Sequence, residues 1–549
     1  MDSDKNDRSG ALHRHCRRLI GVASIMGLPG MLALEGTAFA QAPAPPPPGA
    51  EPTAPAPAAA PAPAAATPAT PAPPPSAAPA EAPPPAAPAA PAAPFTPAAP
   101  EAKPVDDAFN GVAQTQSPPF SMDFGWINGT SRQKKPVVDT PFFTGEFLVD
   151  TNYTQSTANP IDHTVIGSTS IARDNEVSLA FLGLGGDFHI KNTRMRIMTQ
   201  FGYRAVEIPR NDFSTFHGQY DLQNTLRYIS EWNGGYHWDV LHGINVDAGI
   251  FMSYIGLFSY TAYENWMYVP SYTSDNTPWF FNGIRTQIFP TDTLKIEPWI
   301  INGWQSYAKF NDMPGVGGQV MFRPVEWISA NSNDYFGFDA QDLAGLYRWH
   351  TDNSFNIRYY NDPNGSVITR LAASYTFDLG GEHGDGVAFS GKSPEGHCSV
   401  AAPCPARFIS AMTYQRVWFG ETFAITVGGG YMTNPSRYLI LTPTGNAQPL
   451  PQPESTAQVA YVPPTSPYDI NFGSKINMWD YEAGFQYMPS DYFTLDVELN
   501  HRGASVPFFN GHGGDTSPDG YITTPSGPGW RADLTKSDDR IIIAWLVRL

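Results

Sequence analysis

The chain has 549 residues, with 51 acids against 33 bases and a formal net charge of −18. That balance argues against a nucleic-acid partner, which requires a basic surface to displace counterions. Charged residues make up 15 %, below the roughly 25 % of ordinary soluble domains, while aromatics reach 13 % and glycines number 49, a mixture suited to a β-rich protein with much apolar surface.

The first forty residues read as an export signal. His13, Arg14, Arg17 and Arg18 give a basic start, and "LIGVASIMGLPGMLAL" gives an apolar core broken at Pro29 and Gly30. Ala38-Phe39-Ala40 fits the small-x-small cleavage rule and leaves Gln41 as the first mature residue. A membrane anchor would need an unbroken apolar run of roughly 20 residues. From 42 to 104 the chain is almost only Ala and Pro, a composition that favours extended polyproline II and has no core to fold around. The expected division is therefore residues 1–40 signal peptide, 41–140 a disordered Ala/Pro-rich periplasmic linker, and 141–549 one folded domain.

That domain alternates. In "DYFTLDVELNHR", Phe493, Leu495, Val497 and Leu499 share one face of a strand, and Thr494, Asp496, Glu498, Asn500 and Arg502 share the other. "NTRMRIMTQFGYR" sets Met195, Ile197, Phe201 and Tyr203 against Arg194, Arg196, Gln200 and Arg204. "INVDAGIFMSY", from Ile244 to Tyr254, "VITRLAASYTFDL" and "FAITVGGGY" alternate likewise. "NMWDYEAGFQY" sets Trp479, Tyr481, Phe485 and Tyr487 against Asp480, Glu482 and Gln486. "ARFISAMTYQRVWF" carries apolar residues on both faces.

Short turns near residues 191, 240, 291, 325, 363, 420 and 490 alternate with longer Gly, Asn and Ser-rich loops. Short turns on one side and long loops on the other is the asymmetry of an outer-membrane barrel. The fold class expected is all-β, a transmembrane antiparallel up-and-down β-barrel of about 16 strands, with 14 or 18 as alternatives. Keeping both chain ends on the short-turn side puts "WHTDN" (349–353) in an outer loop that runs from 332 to 353. The last residues fit: Ile541, Ile543, Trp545, Val547 and Leu549 share a face, although Leu549 stands where such barrels usually close with an aromatic residue. A soluble β-sandwich would have tight turns at both ends and explains the Trp and Tyr near strand ends less well. The apolar face then touches lipid, and the charged face looks into the lumen.

Several stretches carry a resemblance: "DAGIFMSYIGLFSYTAYENWMY", "NTPWFFNGIR", "KIEPWIINGWQSY", "HTDNSFNIRYYNDPNG", "FAITVGGGYMTNPSRYL" and "NHRGASVPFF". Together they resemble the OmpL-like β-barrel porins of the porin-2 class, over about residues 140 to 549. The resemblance implies the outer membrane of a Gram-negative-type bacterium, and it carries over no catalytic residues.

Under the barrel register the lumen-facing charges are Arg194, Arg196, Arg204, Arg285, Lys295, Arg358, Arg370, Asp480, Glu482, Asp496 and Glu498. The four acids form one sector, with Arg285 and Lys295 half a turn away, an arrangement that sets a transverse field and a modest preference for cations. The alternative is that these charges pair and merely solvate the wall. The third outer loop, "GLFSYTAYENWMYVPSYTSDNTP", is the candidate constriction, through Tyr260, Tyr263, Trp266, Tyr268 and Tyr272. Its alternative is packing at the lipid rim.

Cys398 and Cys404 form a candidate loop disulfide. Beside His397 they make too small a set for a closed metal site. His163, His189, His217, His350, His383 and His501 are scattered, without a Gly-x-Ser-x-Gly nucleophile motif, so no enzyme is expected. The function read from the sequence is a porin, a passive water-filled channel for small hydrophilic solutes or ions, with no cofactor. Its partners would be outer-membrane lipid and a homotrimer of the chain. The alternative is a plugged barrel serving as surface adhesin or structural anchor.

Overall fold

The computed structural model describes residues 120–209, 212, 219–309, 313–339, 345–393, 399–434, 475–514 and 532–549. Sixteen antiparallel strands form a closed barrel. They are β1 Phe143–Ser156, β2 Glu176–Ile190, β3 Thr193–Thr199, β4 Ile229–Trp238, β5 Ile244–Met252, β6 Phe280–Thr291, β7 Leu294–Ile301 and β8 Gly315–Val325. The second half is β9 Ile328–Gly337, β10 Tyr347–Asn361, β11 Arg370–His383, β12 Arg407–Phe419, β13 Phe423–Asn434, β14 Ile476–Ser490, β15 Phe493–Ala504 and β16 Ser537–Arg548.

Each strand pairs with the next, and β16 pairs with β1 along Leu148–Ser156, which closes the ring and leaves no sheet edge unpaired in lipid. The terminal Leu549 still exchanges backbone hydrogen bonds with Phe147, at 2.9 and 3.0 Å. Val138–Thr140 adds three residues of pairing to the start of β1. The eight outer loops are numbered here in chain order, loop 1 after β1 and loop 3, residues 253–279, after β5.

Alternation sorts the side chains as the pattern predicts. Leu499, Ile541, Trp545, Phe423, Ile425, Val427, Tyr481 and Phe485 are exposed on the outside. Thr494, Asp496, Glu498, Asn500 and Arg502 are buried inside. The ambiguous strand β12 resolves in the same way. Its inward Phe408, Met412, Tyr414 and Trp418 are buried although they are apolar, because the lumen is filled with chain on that side.

Four expectations change. "WHTDN" lies within β10, with His350 and Asp352 inward and buried. A lipid-spanning strand needs only about 9–11 residues. β10 has 15, so pairing continues where the outward face has turned polar, and Asn353 there bonds Thr351 and Ser332. Tyr203 and Arg204 are not on a strand: β3 ends at Thr199, and Arg204 opens a helical turn, Arg204–Glu207. Tyr254, placed on the lipid side, is buried inside at the start of loop 3. The linker expected to run unstructured to 140 ends earlier, since Phe120, Phe124 and Trp126 to Ser131 are buried within the barrel unit. Cys398 lies outside the described residues, while Cys404 is buried and disulfide-bonded.

Candidate pore and its constriction

Loop 3 leaves the wall at β5, enters the lumen and reaches the strands on the far side. Tyr260, Tyr263, Trp266, Tyr268 and Tyr272 are all at most 5 % exposed, so these rings pack inside the barrel and not at the lipid rim. Two short turns shape the loop, Ala262–Glu264 and Tyr272–Asp275, the second closed by Asp275 N donating to Ser271 O at 2.9 Å.

The acidic sector is its bed. Glu498 Oε2 accepts from the backbone N–H of Tyr268 and Val269 at 2.9 and 3.1 Å. Asp480 accepts from Tyr272 N at 2.7 Å and Ser271 Oγ at 3.0 Å. Glu482 accepts from Tyr414 Oη at 3.1 Å and Asn500 Nδ2 at 2.8 Å, and Asp496 from Gln486 Nε2 at 2.6 Å. On β1, Asp150 accepts from Tyr268 Oη at 2.7 Å. A loop that crosses a barrel brings unpaired backbone donors with it, and ionised acceptors satisfy them best. The four acids thus face inward, as their register requires, but lie beneath loop 3 and not along open water.

Inward arginines complete the seat. Arg502 pairs with Asp275 at 2.8 Å, lies 4.4 Å from the Tyr272 ring centroid, and donates to the carbonyls of Gly167 and Pro270, so it ties loop 1 to loop 3. Thr169 Oγ1 donates to Asp275 at 2.7 Å across the same junction. Arg416 donates to Trp266 O at 3.0 Å. Arg540 donates to Ile166 O at 2.6 Å. Arg548 pairs with Glu146 at 3.0 Å and with Glu264. In the loop itself, burial raises the Glu264 carboxyl above its usual value against the pull of Arg548, and burial pushes the Tyr263 hydroxyl up to about 12.

The other sequence-derived charges lie on β3, β6 and β7, in loop 2 and near the short-turn rim. Arg196 bonds Glu146, Asp187 and Glu231 at 2.9, 2.8 and 2.5 Å. Arg194 and Arg285 share Asp247 at 3.1 and 3.0 Å, and Lys295 pairs with Glu297 at 2.9 Å. Arg204, beyond its strand, still reaches Asp150 at 3.5 Å and Tyr260 O at 2.5 Å. Arg358 pairs with Glu326 at 2.6 Å, and Arg370 with Glu421, both near the short-turn rim. Arg323 makes no ion pair among the described residues, and instead lies under the rings of Phe124 and Phe120, at 4.6 and 5.2 Å.

Between loop 3 and this wall lies a cavity of about 130 Å³, reached by Arg285, Lys295, Arg323, Glu231 and Glu297 and by residues 127–130. Among the described residues no group of three or more His, Cys, Asp and Glu could hold a metal ion. Sequence reading missed Arg416, Arg502, Arg540 and Arg548 as loop-holding residues, and missed Arg323 and residues 120–133 altogether. The signal for the segment was available: Phe120, Met122, Phe124, Trp126 and Ile127 cluster after the Ala/Pro stretch and before β1.

A closed sixteen-stranded barrel with an apolar belt and an inward-folded third loop defines an integral outer-membrane β-barrel protein. The chain belongs to the family described as "Putative beta-barrel porin-2, OmpL-like", whose model matches residues 143–524. A comparison with curated proteins gives no match. Similar solved structures include the outer-membrane channel DcaP of Acinetobacter baumannii, at 10 % identity and TM-score 0.39, covering 75 % of this chain and 99 % of that one. An anion-selective porin from Comamonas acidovorans is similar at 10 % identity and TM-score 0.39, covering 74 % and 99 %. OmpT of Vibrio cholerae is similar at 7 % identity and TM-score 0.39, covering 74 % and 96 %.

Proposed function

We propose that the protein is a passive outer-membrane channel for small hydrophilic solutes or ions, narrowed by loop 3, with no chemical step and no energy coupling. The observation that carries this reading is the cavity of about 130 Å³ between loop 3 and a wall of paired ions. Pore walls of ionic and amide groups hold water and let small polar solutes exchange hydration for wall contacts. The mature chain would begin at Gln41, with residues 42–104 as a periplasmic tether and the barrel in lipid, assembled as a homotrimer. A second reading, a plugged barrel that serves as adhesin or anchor, draws on the burial of loop 3 and of residues 120–133. Planar-bilayer recording of the purified chain separates them. Discrete, small, ohmic conductance steps support the channel, and a folded, heat-modifiable barrel that never conducts across pH and voltage supports the anchor or adhesin.

A further inference from the structure

The segment before β1 is built into the lumen. Its start stands at β6 and β8, where the Phe120 ring lies 6.3 Å from that of Phe289 and both Phe120 and Phe124 cover Arg323. Trp126 is fully buried, donates from Nε1 to Glu326 O at 2.9 Å, and lies 5.5 Å from the Arg358 guanidinium. Its end stands on the other side of the ring. Arg132 donates to Ser490 O, Phe493 O and Thr494 Oγ1, each at 2.8 Å, at the β14–β15 turn.

Between these ends the segment is bonded to loop 3. Trp266 Nε1 donates to Trp126 O at 3.1 Å, Trp266 N to Asn128 Oδ1 at 2.7 Å, and Gly129 N to Glu264 O at 3.2 Å. Gly129 has φ +77, and a Cβ there would stand 2.2 Å from Leu257 O, so only glycine allows this approach. β7 and β15 are half a turn apart in a ring of sixteen. The chain therefore crosses the barrel mouth on the short-turn side, against the inner face of the constriction.

We propose that residues 120–133 are a plug that throttles the periplasmic mouth of the channel and masks its cations; this rests on the channel reading above. Two features set it apart from a strand leader. It is held at two opposite points of the short-turn rim and is bonded to loop 3 between them. Its rings also cover Arg323, which makes no ion pair among the described residues, so the seat they leave behind would be basic. Cation–π contacts of this kind are worth about 0.5–2 kcal/mol each and are sequence-specific to aromatics. Withdrawal of the plug would widen the path and turn its preference toward anions.

The test compares the full chain, a variant lacking residues 120–134, and the length-preserving pair Phe124→Ser with Trp126→Ser. All are checked for folding by heat-modifiable migration, then recorded in planar bilayers under a salt gradient. The full chain is also treated with chymotrypsin in detergent, which should spare Phe124 and Trp126 while the barrel is folded. The expected result is a several-fold rise in conductance for both variants and, for the charge-neutral serine pair, a shift of reversal potential toward anions. Equal conductance in full chain and variants overturns the plug and leaves the channel standing. Rapid cleavage at Phe124 or Trp126 in the folded full chain overturns the plug independently of any current. Folded proteins that are all silent overturn the channel reading, and the plug with it.

Discussion

Glu498 is the sharpest place to test how loop 3 is held. Its carboxylate accepts two backbone N–H groups of the loop, at 2.9 and 3.1 Å, and is fully buried with them. Glu498→Ala leaves the amides of Tyr268 and Val269 without an acceptor. A buried donor left unsatisfied costs about 1–3 kcal/mol, so the seated loop loses about 2–6 kcal/mol, offset in part by removal of a buried charge. Even about 2 kcal/mol shifts the seated-to-released ratio roughly thirty-fold. Asp480 and Arg502 still hold residues 270–275, so release should centre on Met267 to Val269. In planar bilayers the Ala variant should show a larger mean conductance and more open-channel noise. Glu498→Gln keeps an oxygen for both amides and should stay near the native trace. Adding Asp496→Asn to the Gln variant should leave the cation/anion permeability ratio unchanged, because both carboxylates lie beneath the loop. A folded Ala variant with native conductance and noise would refute the anchoring role. A fall in cation preference for the double variant would put these acids on the conduction path.

Arg502→Ala strands the buried Asp275 carboxylate, and breaking such a pair typically costs about 3–5 kcal/mol, so the heat-modifiable band should unfold at a clearly lower temperature; an unchanged transition would show that the junction of loops 1 and 3 adds nothing. Val497→Arg puts a charge within the lipid-facing row Phe493, Leu495, Val497 and Leu499 and should cost about 2–4 kcal/mol in a urea titration of the barrel folded into vesicles. Deleting residues 42–104 should leave barrel assembly intact, as judged by outer-membrane fractionation and heat modifiability, since an Ala/Pro stretch has no core to contribute.

The barrel was legible because period-two alternation is a local property. Phe493, Leu495, Val497 and Leu499 against Asp496 and Glu498 assign both faces of a strand at once. The turn and loop asymmetry then supplied parity, and with it the number of strands. Two kinds of information were not local. Strand length is one: holding both chain ends on the short-turn side put "WHTDN" in an outer loop, although it is the outer part of β10, whose pairing runs on past the length lipid requires. What fills the lumen depends on contacts far apart in sequence. Asp480 and Glu498 looked like free pore charges because their partners include backbone amides of a loop more than two hundred residues earlier. Backbone donors have no signature in a sequence. Apolar residues on the inward face of β12 were a local hint that something other than water lies against it.

The central claim is that small polar solutes cross this barrel passively through a path narrowed by loop 3. Swelling of proteoliposomes in a series of neutral polyols and sugars of rising size measures that most directly. The account predicts swelling with the smallest solutes, a steep fall as solute size increases, and a cutoff that moves upward in Glu498→Ala. Folded, correctly inserted protein that gives no swelling with any solute, in native and variant alike, would contradict it.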